Sequence, residues 1–130
     1  MSLRWYTVVV DCHDVKAQSR WWAEVLGWPV VYESDNEMVI APPHLLDNSR
    51  EIPRAERGPG LVFLTVPETK TLKNRLHIDL APDTDDDHEA EVRRLESLGA
   101  QRIDIGQGDV RWVVLADPEG NEFCVLTPRD

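Results

Sequence analysis

The sequence predicts an α+β fold built from two copies of a β-α-β-β-β unit. Three observations carry this expectation. The order of strand-like and helix-like segments runs through once and then starts again. Both helical stretches end in the same dipeptide, Leu26-Gly27 and Leu98-Gly99. The segments around them are short and rich in β-branched or aromatic residues, which suits strands.

In the first unit, Trp5 to Val10 (W-Y-T-V-V-V) reads as the opening strand. A helix is predicted from about Val15 to Leu26. Asp14 precedes it, where a carboxylate accepts a free backbone N–H. Gly27 follows it, where glycine tolerates the left-handed backbone that ends helices. Pro29 to Glu33, Glu37 to Ala41 and Leu61 to Val66 are the remaining strands.

The second unit opens on Leu76 to Leu80 (L-H-I-D-L), which alternates as a strand does. Asp83 to Asp87 forms an acidic turn into a helix from about Asp86 to Leu98, with Val92, Leu95 and Leu98 at near-helical spacing. Carboxylates at that end suit the helix dipole. They lack the central Gly and closing Glu of a calcium loop, so they read as a solvated helix start. Strands Gln101 to Ile105, Arg111 to Leu115 and Glu122 to Leu126 complete the unit. One connection differs between halves. The first is a long Pro-rich excursion, Pro42 to Gly60, which reads equally as a lid or as a surface insertion. The second is the tight turn Asp117-Pro118-Glu119-Gly120-Asn121.

The 130 residues suit a single domain, with repeat one at about 4–66 and repeat two at about 75–128. No apolar run is long enough to span a bilayer. Met1 to Trp5 lacks the charged-then-apolar plan of a signal peptide. A net charge of −10 excludes phosphate-backbone binding and favours solubility or a cationic ligand. Cys12 and Cys124 are the only cysteines, and no C-x-x-C pair exists. A disulfide scaffold and a zinc ribbon are therefore excluded, and both residues are expected as reduced thiols in a cytoplasmic protein.

Three segments carry a family resemblance: Asp14 to Trp28 (D-V-K-A-Q-S-R-W-W-A-E-V-L-G-W), Arg75 to Leu80 (R-L-H-I-D-L) and Asp117 to Leu126 (D-P-E-G-N-E-F-C-V-L). In this order they resemble the glyoxalase/bleomycin-resistance/dioxygenase, or vicinal-oxygen-chelate, superfamily. The D-P-E-G-N turn is the most specific of them. The resemblance implies two βαβββ modules curving into a partial barrel around a small-molecule cleft. In metal-dependent members it also implies four inward ligands, usually His and Glu, holding one divalent ion as a Lewis acid.

Carried over by motif, those four positions fall on Thr7, near Phe63, on His77 and on Cys124. Metal-binding relatives usually have His at the first and Glu at the last. Only His77 matches, so it is the single candidate ligand. The cofactor is left open, with a divalent metal disfavoured. His77 and Asp79 share a strand face, because side chains repeat every two residues. They form the best acid/base pair in the chain, since an imidazole titrates near neutrality. Cys124 otherwise reads as a small buried hydrophobe. His13, His44 and His88 read as solvated.

Five tryptophans are present. Trp5 shares parity with Thr7 and is expected to face the cleft. Trp21, Trp22 and Trp28 are expected to pack the first helix on its sheet. Trp5, Thr7, Phe63, Trp112 and Cys124 are thus the expected pocket residues. An aromatic cleft with an acidic rim suits a flat or cationic molecule. Two functions follow from the resemblance. One is a metal-free binding protein of the bleomycin-resistance kind, slightly favoured. The other is a lyase, isomerase or dioxygenase using His77 with a non-standard metal site. A homodimer is expected from the resemblance as well.

Overall fold

The computed structural model describes residues 3–130. Met1 and Ser2, part of the segment tested above for a signal peptide, lie outside the described residues. The chain divides into two compact units, one running through Thr69 and the other from Lys70. Each is a β-α-β-β-β unit with one four-stranded mixed sheet, as the sequence predicts.

The first unit contains β1 (Thr7–Cys12), α1 (Val15–Leu26), β2 (Val30–Glu33), β3 (Glu37–Ile40) and β4 (Gly60–Thr65). Its sheet order is β1-β4-β3-β2, with β1 parallel to β4 and the other pairs antiparallel. β1 starts two residues later than expected and ends two later. Its ladder begins at Thr7↔Gly60. The residue before Gly60 is Pro59, which has no amide hydrogen to extend the pairing. At the other end Asp11 and Cys12 still pair with Leu64 and Thr65. The long connection between β3 and β4 holds two short 3-10 turns, Pro43–Leu46 and Arg54–Glu56.

α1 has the expected bounds because both of its caps are local. The Asp14 carboxylate accepts from Ala17 N at 3.1 Å, and Gly27 adopts φ 67°. Its buried face is Val15, Gln18, Ser19, Trp22 and Val25. That face lies over β3 and β4. Met38, Ile40, Leu61 and Phe63 are buried beneath it. Strand alternation then puts Thr7, Val9 and Asp11, with Val39, Val62 and Leu64, on the opposite, more open face.

The second unit contains β5 (Asp79–Leu80), α2 (His88–Ser97), β6 (Gln101–Arg102), β7 (Val113–Ala116) and β8 (Glu122–Val125). Its order is β5-β8-β7-β6, with β5 parallel to β8. All four strands are shorter than predicted, β7 and β8 by one residue and β5 and β6 by three. Leu76 is exposed, and the pairing to β8 starts only where Cys124 N donates to Ile78 O. β6 ends because Asp104 accepts from Gly106 N at 2.7 Å, and Gly106 turns the chain at φ 86°. α2 begins at His88 rather than Asp86. Asp87 is the cap, accepting from Glu89 N and Ala90 N, while the Asp86 carboxylate accepts from Asp83 N instead. Val92, Leu95, Leu115 and Phe123 form the buried core of this unit. Among the described residues no helix is long and apolar enough to cross a membrane.

Candidate functional site

The open face of the second sheet floors a cavity of about 780 Å³. Its lining runs from His77 to Arg129, so it belongs entirely to the second unit. Three polar side chains gather at one end. Asp79 lies directly opposite Cys124 in the parallel β5–β8 register, and His77 is two residues before Asp79 on the same face. His77 Nε2 is 3.3 Å from Asp79 Oδ1. The ligand-type atoms of His77, Asp79 and Cys124 all lie within 4.8 Å of one another. Ile105, Val110, Trp112 and Leu126 supply the apolar wall.

Burial pushes the Cys124 thiol up, and the Asp79 charge and hydrogen bond push it further, against a smaller opposing effect of Lys73. The sulfur is therefore a neutral thiol at pH 7, not an activated nucleophile. His77 and Asp79 are both about half exposed, so a ligand entering the cavity can reach them.

Comparison with known proteins places the chain in a family. Residues 7–126 match the sequence profile of the glyoxalase-like domain, across both units. The chain belongs to the glyoxalase-like family. Solved structures agree in fold. An enzyme of the glyoxalase/bleomycin resistance protein/dioxygenase family from Burkholderia phytofirmans superposes with TM-score 0.70 at 17% identity, covering 98% of this chain and 100% of its own. The fosfomycin resistance protein FosX from Mesorhizobium loti gives 0.65 at 16%, covering 99% and 94%. Oxidase ChaP-H2 gives 0.62 at 20%, covering 99% and 96%. No curated protein sequence matches the chain significantly.

Glyoxalase-like proteins often hold a divalent metal, and this chain's donors can be tested for one. His77, Asp79 and Cys124 offer nitrogen, oxygen and sulfur within reach of one ion. Three such ligands with one open position match a zinc site in number and softness. They fit magnesium or manganese poorly, because hard ions want mostly oxygen.

The other expected pocket residues lie in the first unit, and none of them lines this cavity. Phe63 is fully buried on the α1-covered face rather than turned to the open one, where Val62 and Leu64 stand. Thr7 donates from Oγ1 to Gly60 O at 3.1 Å, on its own sheet. Trp5 is 68% exposed, and its Nε1 donates back to Thr7 O. Trp22 is buried as expected, edge-on to Trp21 at 5.2 Å. His88 departs from its solvated expectation. It is half-buried, with Nε2 3.2 Å from Val125 O. His13 and His44 are exposed.

Glu122 went unmarked in the sequence. It shares a strand face with Cys124 and is buried, where its carboxylate accepts from Lys70 Nζ at 2.8 Å and Asn74 N at 2.9 Å. Burial alone would raise it. The Lys70 ammonium and the backbone N–H groups outweigh burial and hold it below the ordinary glutamate value of 4.5. A carboxylate lowered by folding stabilises the fold above its unfolded value, and that contribution is lost as pH falls through the folded value. Melting curves from pH 7 to pH 3 should therefore show Glu122→Gln less stable than wild type at neutral pH and flatter on the acid side. Parallel curves for the two proteins would refute the clamp. A lone Glu at the head of the apolar run F-C-V-L was the signal available in the sequence.

Proposed function

We propose that the protein binds a small organic molecule in the cavity of its second unit and sequesters it, in the manner of the bleomycin-resistance proteins its sequence resembles. One observation carries this reading. An open cavity sets an apolar wall around Trp112 beside a compact polar cluster, which is how small-molecule sites are generally built. Trp112 is 41% exposed, so its ring is free to stack on a flat ligand. Titration against a panel of flat acids, amines and neutral aromatics should give saturable tryptophan quenching for at least one. Trp112→Ala should weaken that ligand by about tenfold, as for an aromatic anchor. Absence of saturable quenching across the panel would overturn the reading.

The His77–Asp79–Cys124 cluster favours a second reading, a lyase, isomerase or dioxygenase of the same superfamily. Those three side chains would hold a soft divalent ion, which would supply Lewis acidity to a bound oxygen. His77, beside Asp79, would pass or accept a proton at Nε2. Elemental analysis of protein purified without chelator separates the two. Stoichiometric zinc, with a thermal shift on adding it back, supports the enzyme. Absence of metal, together with no shift from Ni, Zn, Mn or Fe, rules the metal enzyme out.

The two units are taken as one domain spanning residues 1–130, because a single family profile runs through both. The protein is taken as a cytoplasmic homodimer on the resemblance and on two cysteines that form no disulfide. Light scattering reads the dimer directly.

A further inference from the structure

We propose that this cavity selects a flat, apolar molecule carrying a carboxylate-type anion, held by Arg111 and Arg129. The inference rests on the binding role proposed above and names its ligand class.

The chain's net charge of −10 would favour a cation. That charge is spread along the whole chain, whereas a ligand desolvated in a cavity meets the lining first. The titratable groups facing this cavity are His77, Asp79, Arg111, Cys124 and Arg129. Two permanent cations therefore face one carboxylate. That carboxylate is already engaged, 3.3 Å from His77. Lys73 adds a further positive charge close enough to act on Cys124.

Elsewhere in the chain most cations have partners. Lys16 and Arg20 share Glu33, Lys70 holds Glu122, Arg94 meets Glu91 and Arg102 meets Glu96. With 24 acidic residues against 14 basic ones, carboxylates are in ample supply. Among the described residues Arg111 makes no hydrogen bond or ion pair, and Arg129 none to a carboxylate. Of the cations left without one, these two line the same cavity.

Arg129 is also oriented. Its Nε donates to Thr127 O and its Nη2 to Thr127 Oγ1, both at 2.9 Å. Those bonds fix the plane of the guanidinium and leave Nη1 for an incoming oxygen. Arg111 borders a second hollow of about 450 Å³ with Arg93 and Arg102. There Arg93 and Arg102 are matched by Glu89 and Glu96, so Arg111 is the cation left over. A guanidinium and a carboxylate form charge-assisted hydrogen bonds, stronger than neutral ones, and more so out of bulk water.

Three probes that share one ring system and differ in charge test this by calorimetry: 2-naphthoate, 2-naphthylmethanol and 2-naphthylmethylammonium. The naphthoate should bind about tenfold or more tightly than either of the others, the scale of a hydrogen bond to a charged group. Arg111→Gln and Arg129→Gln should each remove most of that preference while leaving the affinity for the alcohol unchanged. Both side chains are exposed, so the variants should melt as wild type does. If the alcohol or the amine binds as tightly as the acid, the anion preference is overturned and the binding role stands. If the acid's preference survives loss of both arginines, their assignment is overturned. If none of the three binds, the flat-anion proposal is overturned, and the binding role is decided by the wider panel titration above.

Discussion

Phe63→Ala is expected to destabilise the first unit by about 3–5 kcal/mol, the cost of emptying a well-packed aromatic site. Phe63 has no exposed surface, pairs with Met38 in the β3–β4 register and lies beneath α1. Its loss removes the ring's burial and leaves a void that the sheet and helix cannot both close around. Chemical denaturation followed by circular dichroism measures the change. The same variant decides where the ring points. A core residue costs stability and leaves ligand affinity of the folded protein unchanged. A pocket residue does the reverse, and that outcome would overturn the placement described here.

Asp117→Ala should cost about 3 kcal/mol, because a buried carboxylate that receives several donors leaves them all unsatisfied when it goes. Asp117 is 5% exposed. Its Oδ1 accepts from Glu119 N at 3.0 Å and Asn121 N at 2.9 Å, and its Oδ2 accepts from Asn121 Nδ2 at 3.2 Å. These bonds shape the turn that delivers β8, and with it Cys124, to the cavity floor. Asp117→Asn keeps one acceptor oxygen and should lose less. Equal, small losses for both variants in thermal melts would show that the backbone turn holds without the side chain.

These residues also mark what a reader of the sequence could see. α1 was legible to its ends because Asp14 and Gly27 act within one turn of it, so its limits are local properties. β5 and β6 were not. A strand exists only as far as its partner reaches, and the partner is distant in sequence. Phe63 failed for a different reason. L-V-F-L-T is apolar on both faces, so nothing in it says which parity meets the helix, and a one-residue change of parity exchanges the faces. His77 and Asp79 could be paired by their spacing alone. Cys124 joined them only through the family resemblance, since its register opposite Asp79 spans 45 residues of chain. Arg111 and Arg129 gave no signal at all. An arginine at a strand's start or in a C-terminal tail carries no pattern until the fold brings it to a cavity.

The Glu122 clamp has a consequence for anyone dividing this chain. Its carboxylate reaches back 52 residues to Lys70 and 48 to Asn74. The second unit begins at that same Lys70. The stretch just before β5 is thus moored to the last strand of its own unit, although it reads as a linker. A fragment cut at Asn74 would strand a buried acid with half its partners. The seam between the halves falls just before Lys70, the residue that a carboxylate near the far end of the sequence holds.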